Sequence, residues 1–253
     1  MEYSQGVSAC QLERHRKVDS WWHKVAAAIW PPHCVLCEGI GANGRDLCVP
    51  CEHDLPLNTA SCRVCAQPLA LGRAEQAICG RCLGARVLVD ASFVPYRYAY
   101  PLDRLIQRLK YGKDLSVTRV LGDLFAEHWL ARSESPAPQL LVPVPLGYRR
   151  YCQRGFNQAR ELARVIARRC GIPMRSDLVE RSRETKEQAA LSRRGRKRNV
   201  RGAFRMKRAL PARHIAIIDD VVTTGSTVNE LARVLRRAGA TTIEVWAIAR
   251  AGR

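Results

Sequence analysis

Two adjacent carboxylates, Asp219 and Asp220, close an apolar run and are followed by small and hydroxyl-bearing residues, Val221-Val222-Thr223-Thr224-Gly225-Ser226-Thr227. These types suit a sugar phosphate. The backbone N–H groups and hydroxyls from Thr223 to Thr227 can surround a phosphate. Carboxylates repel phosphate but accept hydrogen bonds from sugar hydroxyls, so the pair points to a ribose that carries a 5′-phosphate. Asp, Thr and Ser are also ordinary helix N-caps, an account that covers single residues but not the whole string.

A second chemistry lies near the other end of the chain. Eight of the eleven cysteines form four consecutive C-x-x-C pairs, Cys34/Cys37, Cys48/Cys51, Cys62/Cys65 and Cys79/Cys82. Two thiolates spaced in this way converge on one ion from a tight turn, and two such knuckles complete a tetrahedral site. Four knuckles therefore predict two zinc ions. With four thiolates per ion no position is left for water, so both sites are structural. Neighbouring knuckles close the shorter loops, which favours Cys34/Cys37 with Cys48/Cys51 and Cys62/Cys65 with Cys79/Cys82; a crossed pairing is the alternative. His33 and His53 stand beside cysteines as bystanders, and Cys10, Cys152 and Cys170 have no close partners in sequence.

The elements that must position these groups follow from periodicity. Ile215 to Ile218 is short, β-branched and uninterrupted, as a central strand would be, and Val228 to Ala238 continues with helical spacing. A phosphate in the turn between them would face a helix N-terminus. Thr242 to Ala249 reads as another core strand after the Gly239 stop. Upstream, Leu140 to Val144 reads as a strand, Pro145 to Arg150 as a turn, and Phe156 to Cys170 as a helix with Leu162, Val165 and Ile166 on one face. Arg154, Asn157 and Gln158 either face the ligand or, in the case of Asn157, cap that helix. Leu102, Leu105, Ile106 and Leu109 mark a further helix, Ser116 to Arg132 another, and Val87 to Tyr100 a strand or hairpin. Alternating strands and helices imply a largely parallel sheet covered on both faces, with ligands at the carboxyl ends of its strands. Trp21, Trp22, Val25, Ala26, Ile29 and Trp30 have the spacing of one amphipathic helix, stopped by Pro31-Pro32. The expected organisation is a helix over 1–30, a double zinc ribbon over 31–86 and an α/β domain over 87–253.

Composition bounds the partners. A chain of 253 residues with 47% hydrophobic residues can build one α/β core and a small accessory module. Its net charge of +19 points to polyanions, nucleic acid or phosphorylated ligands, unless the charge is simply solvated. Arg181 to Arg208 alone carries twelve basic and two acidic residues. That segment either tracks a nucleic-acid backbone, closes over a ligand or forms a solvated loop. No membrane span or targeting segment is evident, and cysteines used as metal ligands fit a reducing compartment, so a soluble cytoplasmic protein is expected.

The string from Ile215 to Thr227 resembles the phosphoribosyl pyrophosphate motif of type I phosphoribosyltransferases. Leu141-Val-Pro-Val-Pro145, Arg154-Gly-Phe-Asn-Gln158, Arg181-Ser-Arg-Glu-Thr-Lys-Glu-Gln188 with Leu191-Ser192, and Asn199-Val-Arg-Gly-Ala-Phe204, together with the cysteine cluster, narrow the resemblance to the ComF/GntX family. It implies a phosphoribosyltransferase-like parallel sheet flanked by helices and preceded by a small zinc-ribbon module. By position, Leu146, Gly147, Tyr148, Arg149 and Arg150 would form the pyrophosphate loop, and Arg181, Arg183 and Lys186 would belong to the catalytic loop that closes over pyrophosphate. Asp219 and Asp220 would hold the ribose 2′- and 3′-hydroxyls, with Mg²⁺ accompanying phosphoribosyl pyrophosphate. ComF-like proteins are associated with competence, which implies handling of single-stranded DNA and a competence helicase as partner. The resemblance thus leaves two expectations: a ligand-binding protein of DNA uptake, or an active phosphoribosyltransferase. No pattern in the sequence identifies an acceptor.

Overall fold

A computed structural model describes residues 31–69, 77–84, 87–111, 114–132, 136–183 and 200–252. The helix expected over residues 1–30 lies outside these, as do Lys186 and much of the basic segment. The chain divides into two compact units, one ending at His53 and the other beginning at Asp54.

The first unit carries the first two knuckles. Its turns are closed by backbone bonds, Cys34 N–H to Gly39 O at 2.7 Å and Ala42 N–H to Leu47 O at 2.9 Å, around a fully buried Leu47. A short helix α1, Val49–His53, follows the third of its cysteines.

The second unit opens with the remaining knuckles and helix α2, Gly80–Leu83. Its centre is a parallel sheet. Strands β3 (Leu140–Pro143), β6 (His214–Val222) and β7 (Thr242–Arg250) lie side by side, and the short β1 (Ala91–Phe93) and β2 (Tyr96–Arg97) share the outer edge of β7. Residues Ile215 to Ile218 and Ile243 to Arg250 are all buried, as apolar strands with both faces covered must be. The region from Val87 to Tyr100 forms no hairpin. Pro95 separates β1 from β2, its carbonyl accepts from the Asn58 N–H, and each strand pairs with β7 instead of with the other.

Alternation along the strands assigns the two faces. Ile215, Ile217, Ile243 and Val245 join Leu140 and Val142 in a core with Val228, Leu231 and Leu235 of helix α7, Ser226–Arg237. On the opposite face Trp246 meets Phe125 and Trp129 of helix α4, Leu115–Leu130, at ring separations of 5.4 and 4.2 Å. Helix α3, Leu102–Tyr111, and helix α6, Gln158–Cys170, complete that layer. Helix α4 crosses α6 at Gly122, where a Cβ would stand 2.6 Å from Val165 Cγ1. Only glycine permits so close an approach.

The turn expected over Pro145 to Arg150 is shorter than its sequence suggests. Tyr148–Arg154 forms helix α5, bounded by Gly147 and Gly155, so three of the residues assigned to the loop open a helix. A two-stranded antiparallel ladder of β4 (Val179–Arg181) and β5 (Phe204–Met206) brackets the basic segment and brings Arg181 opposite Phe204. No helix among the described residues is long and apolar enough to cross a membrane.

Candidate functional site

Because β3 and β6 are parallel and paired from Leu140–Ile215 to Pro143–Ile218, the chain leaves both at one edge of the sheet. The residues after β3 and the end of β6 thereby wall a single cavity of about 420 Å³. Asp219, Asp220, Val221, Val222, Thr223, Gly225, Ser226 and Thr227 line one side; Leu146 and Arg150 come from the β3 side, and Arg181 from β4.

The turn from Thr223 to Thr227 has the form an anion needs. Gly225 sits in the left-handed region at φ 75° and is the N-cap of α7 with no side-chain cap of its own, and the first amide of that helix, Ser226 N–H, donates to Thr224 Oγ1 at 3.3 Å. Asn229 Nδ2 donates to Gly225 O at 2.8 Å, and the Thr224 and Ser226 hydroxyls stand 2.9 Å apart. These bonds fix the turn.

The carboxylate pair is electrostatically loaded. Burial of the Asp219 carboxyl, and after it the charge and hydrogen bond of Asp220, push its pKa well above the ordinary carboxylate value. Lys110 Nζ offsets part of this, 3.2 Å from Asp220 Oδ2. Backbone bonds orient both acids: Asp220 N–H donates to Asp219 Oδ1 and Val221 N–H to Asp220 Oδ1, each at 2.9 Å. Two acids beside a cluster of cations suit a ligand that offers hydroxyls at one end and anionic oxygens at the other.

Several expected residues stand elsewhere. Gly147, Tyr148 and Arg149 do not line the cavity, since α5 carries them away and leaves Tyr148 exposed. Thr224 borders the cavity on the other side of the turn. Arg183 donates to Arg201 O at 2.8 Å and does not line the cleft, and Lys186 lies outside the described residues.

Lys110, Tyr98 and Tyr111 are polar residues of the cavity that sequence reasoning did not assign to the site. The lysine was visible as a basic residue beside an apolar helical stripe, but its place at the cleft depends on α3 ending there. Asn157 reconciles its two readings. Its Oδ1 accepts from Ala159 N and Arg160 N as the N-cap of α6, its Nδ2 donates to Val144 O at 3.0 Å, and it lines the cavity. Gln158 is 3% exposed, lines the same cavity and has a buried Nε2 without a hydrogen-bond partner.

The cysteines gather in the neighbour pairing. Cys34, Cys37, Cys48 and Cys51 form one group and Cys62, Cys65, Cys79 and Cys82 the other, with the sulfurs of each group within 4.8 Å of one another. A zinc tetrahedron with bonds of about 2.3 Å has sulfur–sulfur edges of about 3.8 Å. Cys37–Cys48 at 3.6 Å and Cys65–Cys79 at 3.7 Å match it. Burial raises the Cys34 and Cys62 thiols, but amide donors, from Cys37, Cys48 and Leu36 in one and from Cys79, Cys65 and Val64 in the other, outweigh it and bring them to about 6 and about 7. Burial and the neighbouring sulfurs push Cys51 and Cys82 up. Four thiolates packed this closely need a cation, and two structural zinc sites are the result.

Comparison with known proteins agrees with both regions. A double zinc ribbon domain model matches residues 25–83, and a phosphoribosyl transferase domain model matches residues 153–253. The chain is 34% identical to competence protein F of Haemophilus influenzae over 86% of its length and 96% of that protein. It is 36% identical to the DNA utilization protein YhgH of Escherichia coli K12 over 87% of its length and 97% of that protein. Among solved structures, a glutamine phosphoribosylpyrophosphate amidotransferase from B. subtilis aligns at a TM-score of 0.34 and 19% identity, over 56% of this chain and 30% of that one, a likeness too slight to carry an argument.

Proposed function

The chain belongs to the ComF/GntX family, that of competence protein F and YhgH, and from this we propose that it serves DNA uptake or utilization through a domain that binds phosphoribosyl pyrophosphate or a related ribose 5-phosphate. One observation carries the ligand: the Asp219–Asp220 pair and Thr223, Gly225, Ser226 and Thr227 of the turn border the same cavity as Lys110, Arg150, Arg154 and Arg181. The turn receives the 5′-phosphate at the N-terminus of α7, the acids accept from the ribose hydroxyls, and the cations face the pyrophosphate. Hard oxygen donors at Asp219 and Asp220 suit a magnesium ion that arrives with the pyrophosphate and neutralises its charge.

The same acids would favour phosphoribosyl transfer. As pyrophosphate leaves C1, positive charge grows on the ribose ring; carboxylates at its hydroxyls stabilise that charge while the cations hold the leaving group. Catalysis is therefore the second reading, with a nucleobase or other acceptor as nucleophile. The net charge of +19 supports single-stranded DNA as a further partner, and a competence helicase would be the protein that delivers it.

Calorimetry with phosphoribosyl pyrophosphate and Mg²⁺ tests the proposal. Binding is expected for the natural chain and not for Asp219→Ala plus Asp220→Ala; equal affinity in both would refute the site. Pyrophosphate release with a panel of nucleobases separates the enzyme from the binding protein. Absence of any salt-sensitive affinity for single-stranded DNA would remove that partner.

A further inference from the structure

Arg250 is 1% exposed, among the most buried side chains of the protein, yet it carries a full charge. It ends β7, where it pairs with Val222 of β6. Its guanidinium reaches in two directions. Toward the ligand cleft, Nη1 donates to Val222 O at 2.8 Å, to Ala251 O at 2.6 Å and to Thr223 O. Toward the cysteines, Nε donates to Cys65 O at 2.9 Å and Nη2 to Gln67 Oε1 at 2.9 Å.

Each acceptor belongs to a structure with its own purpose. Val222 and Thr223 lead into the phosphate turn. Cys65 is one of the four thiols of the second cluster, and Gln67 closes its knuckle, since Cys62 N–H donates to Gln67 O at 2.9 Å and Ala66 N–H to Cys62 O at 2.7 Å. One rigid planar fork thus spans the knuckle and the turn. A buried guanidinium is stable only with its donors satisfied, so displacing either set of acceptors strands donors and forces the side chain to shift.

We propose that Arg250 is a positioning residue through which zinc at Cys62, Cys65, Cys79 and Cys82 sets the geometry of the Thr223–Thr227 turn. With the ion seated, the knuckle backbone is fixed, Cys65 O and Gln67 hold the guanidinium, and the guanidinium holds the carbonyls from which the turn departs. With the ion lost, the knuckle relaxes and the turn loses its anchor. In its effect on ligand affinity this rests on the phosphoribosyl reading; the coupling between knuckle and turn does not.

The test compares the full zinc-loaded chain with Arg250→Lys, Gln67→Leu, Cys82→Ser and, in the other compact unit, Cys51→Ser. Zinc content is measured for each, and two readouts are taken: amide hydrogen exchange over residues 222–227 without ligand, and affinity for phosphoribosyl pyrophosphate. Arg250→Lys and Gln67→Leu are expected to keep two zinc ions per chain. Exchange in the turn should rise about tenfold for Arg250→Lys and less for Gln67→Leu, with affinity falling in the same order. Cys82→Ser should lose one zinc and reproduce that pattern; Cys51→Ser should lose one zinc and leave the turn unchanged. Unchanged exchange in Arg250→Lys, or equal effects from Cys51→Ser and Cys82→Ser, overturns the coupling. If Cys82→Ser does not fold, the two zinc-retaining variants decide. If the natural chain fails to bind phosphoribosyl pyrophosphate, the ligand assignment falls while the exchange readout still rules on Arg250.

Discussion

Lys110 Nζ stands 3.2 Å from Asp220 Oδ2, joining the last turn of α3 to the end of β6 at the rim of the cleft. The pair is partly solvated, so its contribution to stability is small, and its value lies in charge. Lys110 also lowers the pKa of Asp219 against burial and the neighbouring acid. Lys110→Met should therefore raise the pH at which Asp219 ionises and weaken phosphoribosyl pyrophosphate about tenfold, a loss that shrinks as pH rises. Titrating affinity against pH checks both effects.

Asp219 is costly to the free protein. Its folded-state pKa is raised, so the stabilisation it gives is complete below the unfolded pKa and is lost as pH rises through the folded one. At neutral pH, above the unfolded pKa, burial and the neighbouring acid therefore cost the folded state stability. Asp219→Asn should raise the thermal midpoint at pH 7, leave it nearly unchanged near pH 3, and weaken ligand binding at the same time. Thermal melts at the two pH values with and without ligand measure the trade.

Gly225 combines φ 75° with a Cβ position 3.3 Å from Asn229 Nδ2. An alanine there is forced into the left-handed region at about 1–2 kcal/mol. Gly225→Ala should lower stability by that order and weaken ligand binding more than stability, as the turn opens to relieve the strain. Denaturant titration and calorimetry on one preparation separate the two.

Gly122 supplies a control outside the cleft lining. Gly122→Ala places a methyl against Val165 and should cost about 1–3 kcal/mol by overpacking. Val165→Ala in the same chain should restore part of it, with ligand affinity unchanged throughout.

Much of this site was legible in the sequence because its chemistry is local. Asp219 to Thr227 are contiguous, and the four C-x-x-C pairs announce their geometry by spacing. Tyr148 and Arg149 show where local reading fails: their residue types suit a loop as well as a helix, and the two bounding glycines decide in favour of a helix. Lys110 and Arg250 were beyond its reach for another reason. Each acts on a partner distant in the chain, and nothing about a lysine at the end of an apolar stripe, or an arginine at the end of a strand, names that partner. The parallel pairing of β1 and β2 with β7 was hidden in the same way, since Val87 to Tyr100 alternates as a hairpin would.

The sheet is ordered so that its edge waits for its middle. Ala91 of β1 pairs with Glu244 of β7, and β7 also fills the gap between that edge and β6. On a ribosome, β1 and β2 emerge roughly 150 residues before the strand that receives them, so their place in the sheet stays open until β7 follows, and only nearby contacts such as Leu57 with Tyr96 are available first. Sensitivity to any truncation that removes β7 follows from that arrangement. The zinc knuckles, whose partners lie within a few tens of residues, are the part of the chain that can reach its final form first.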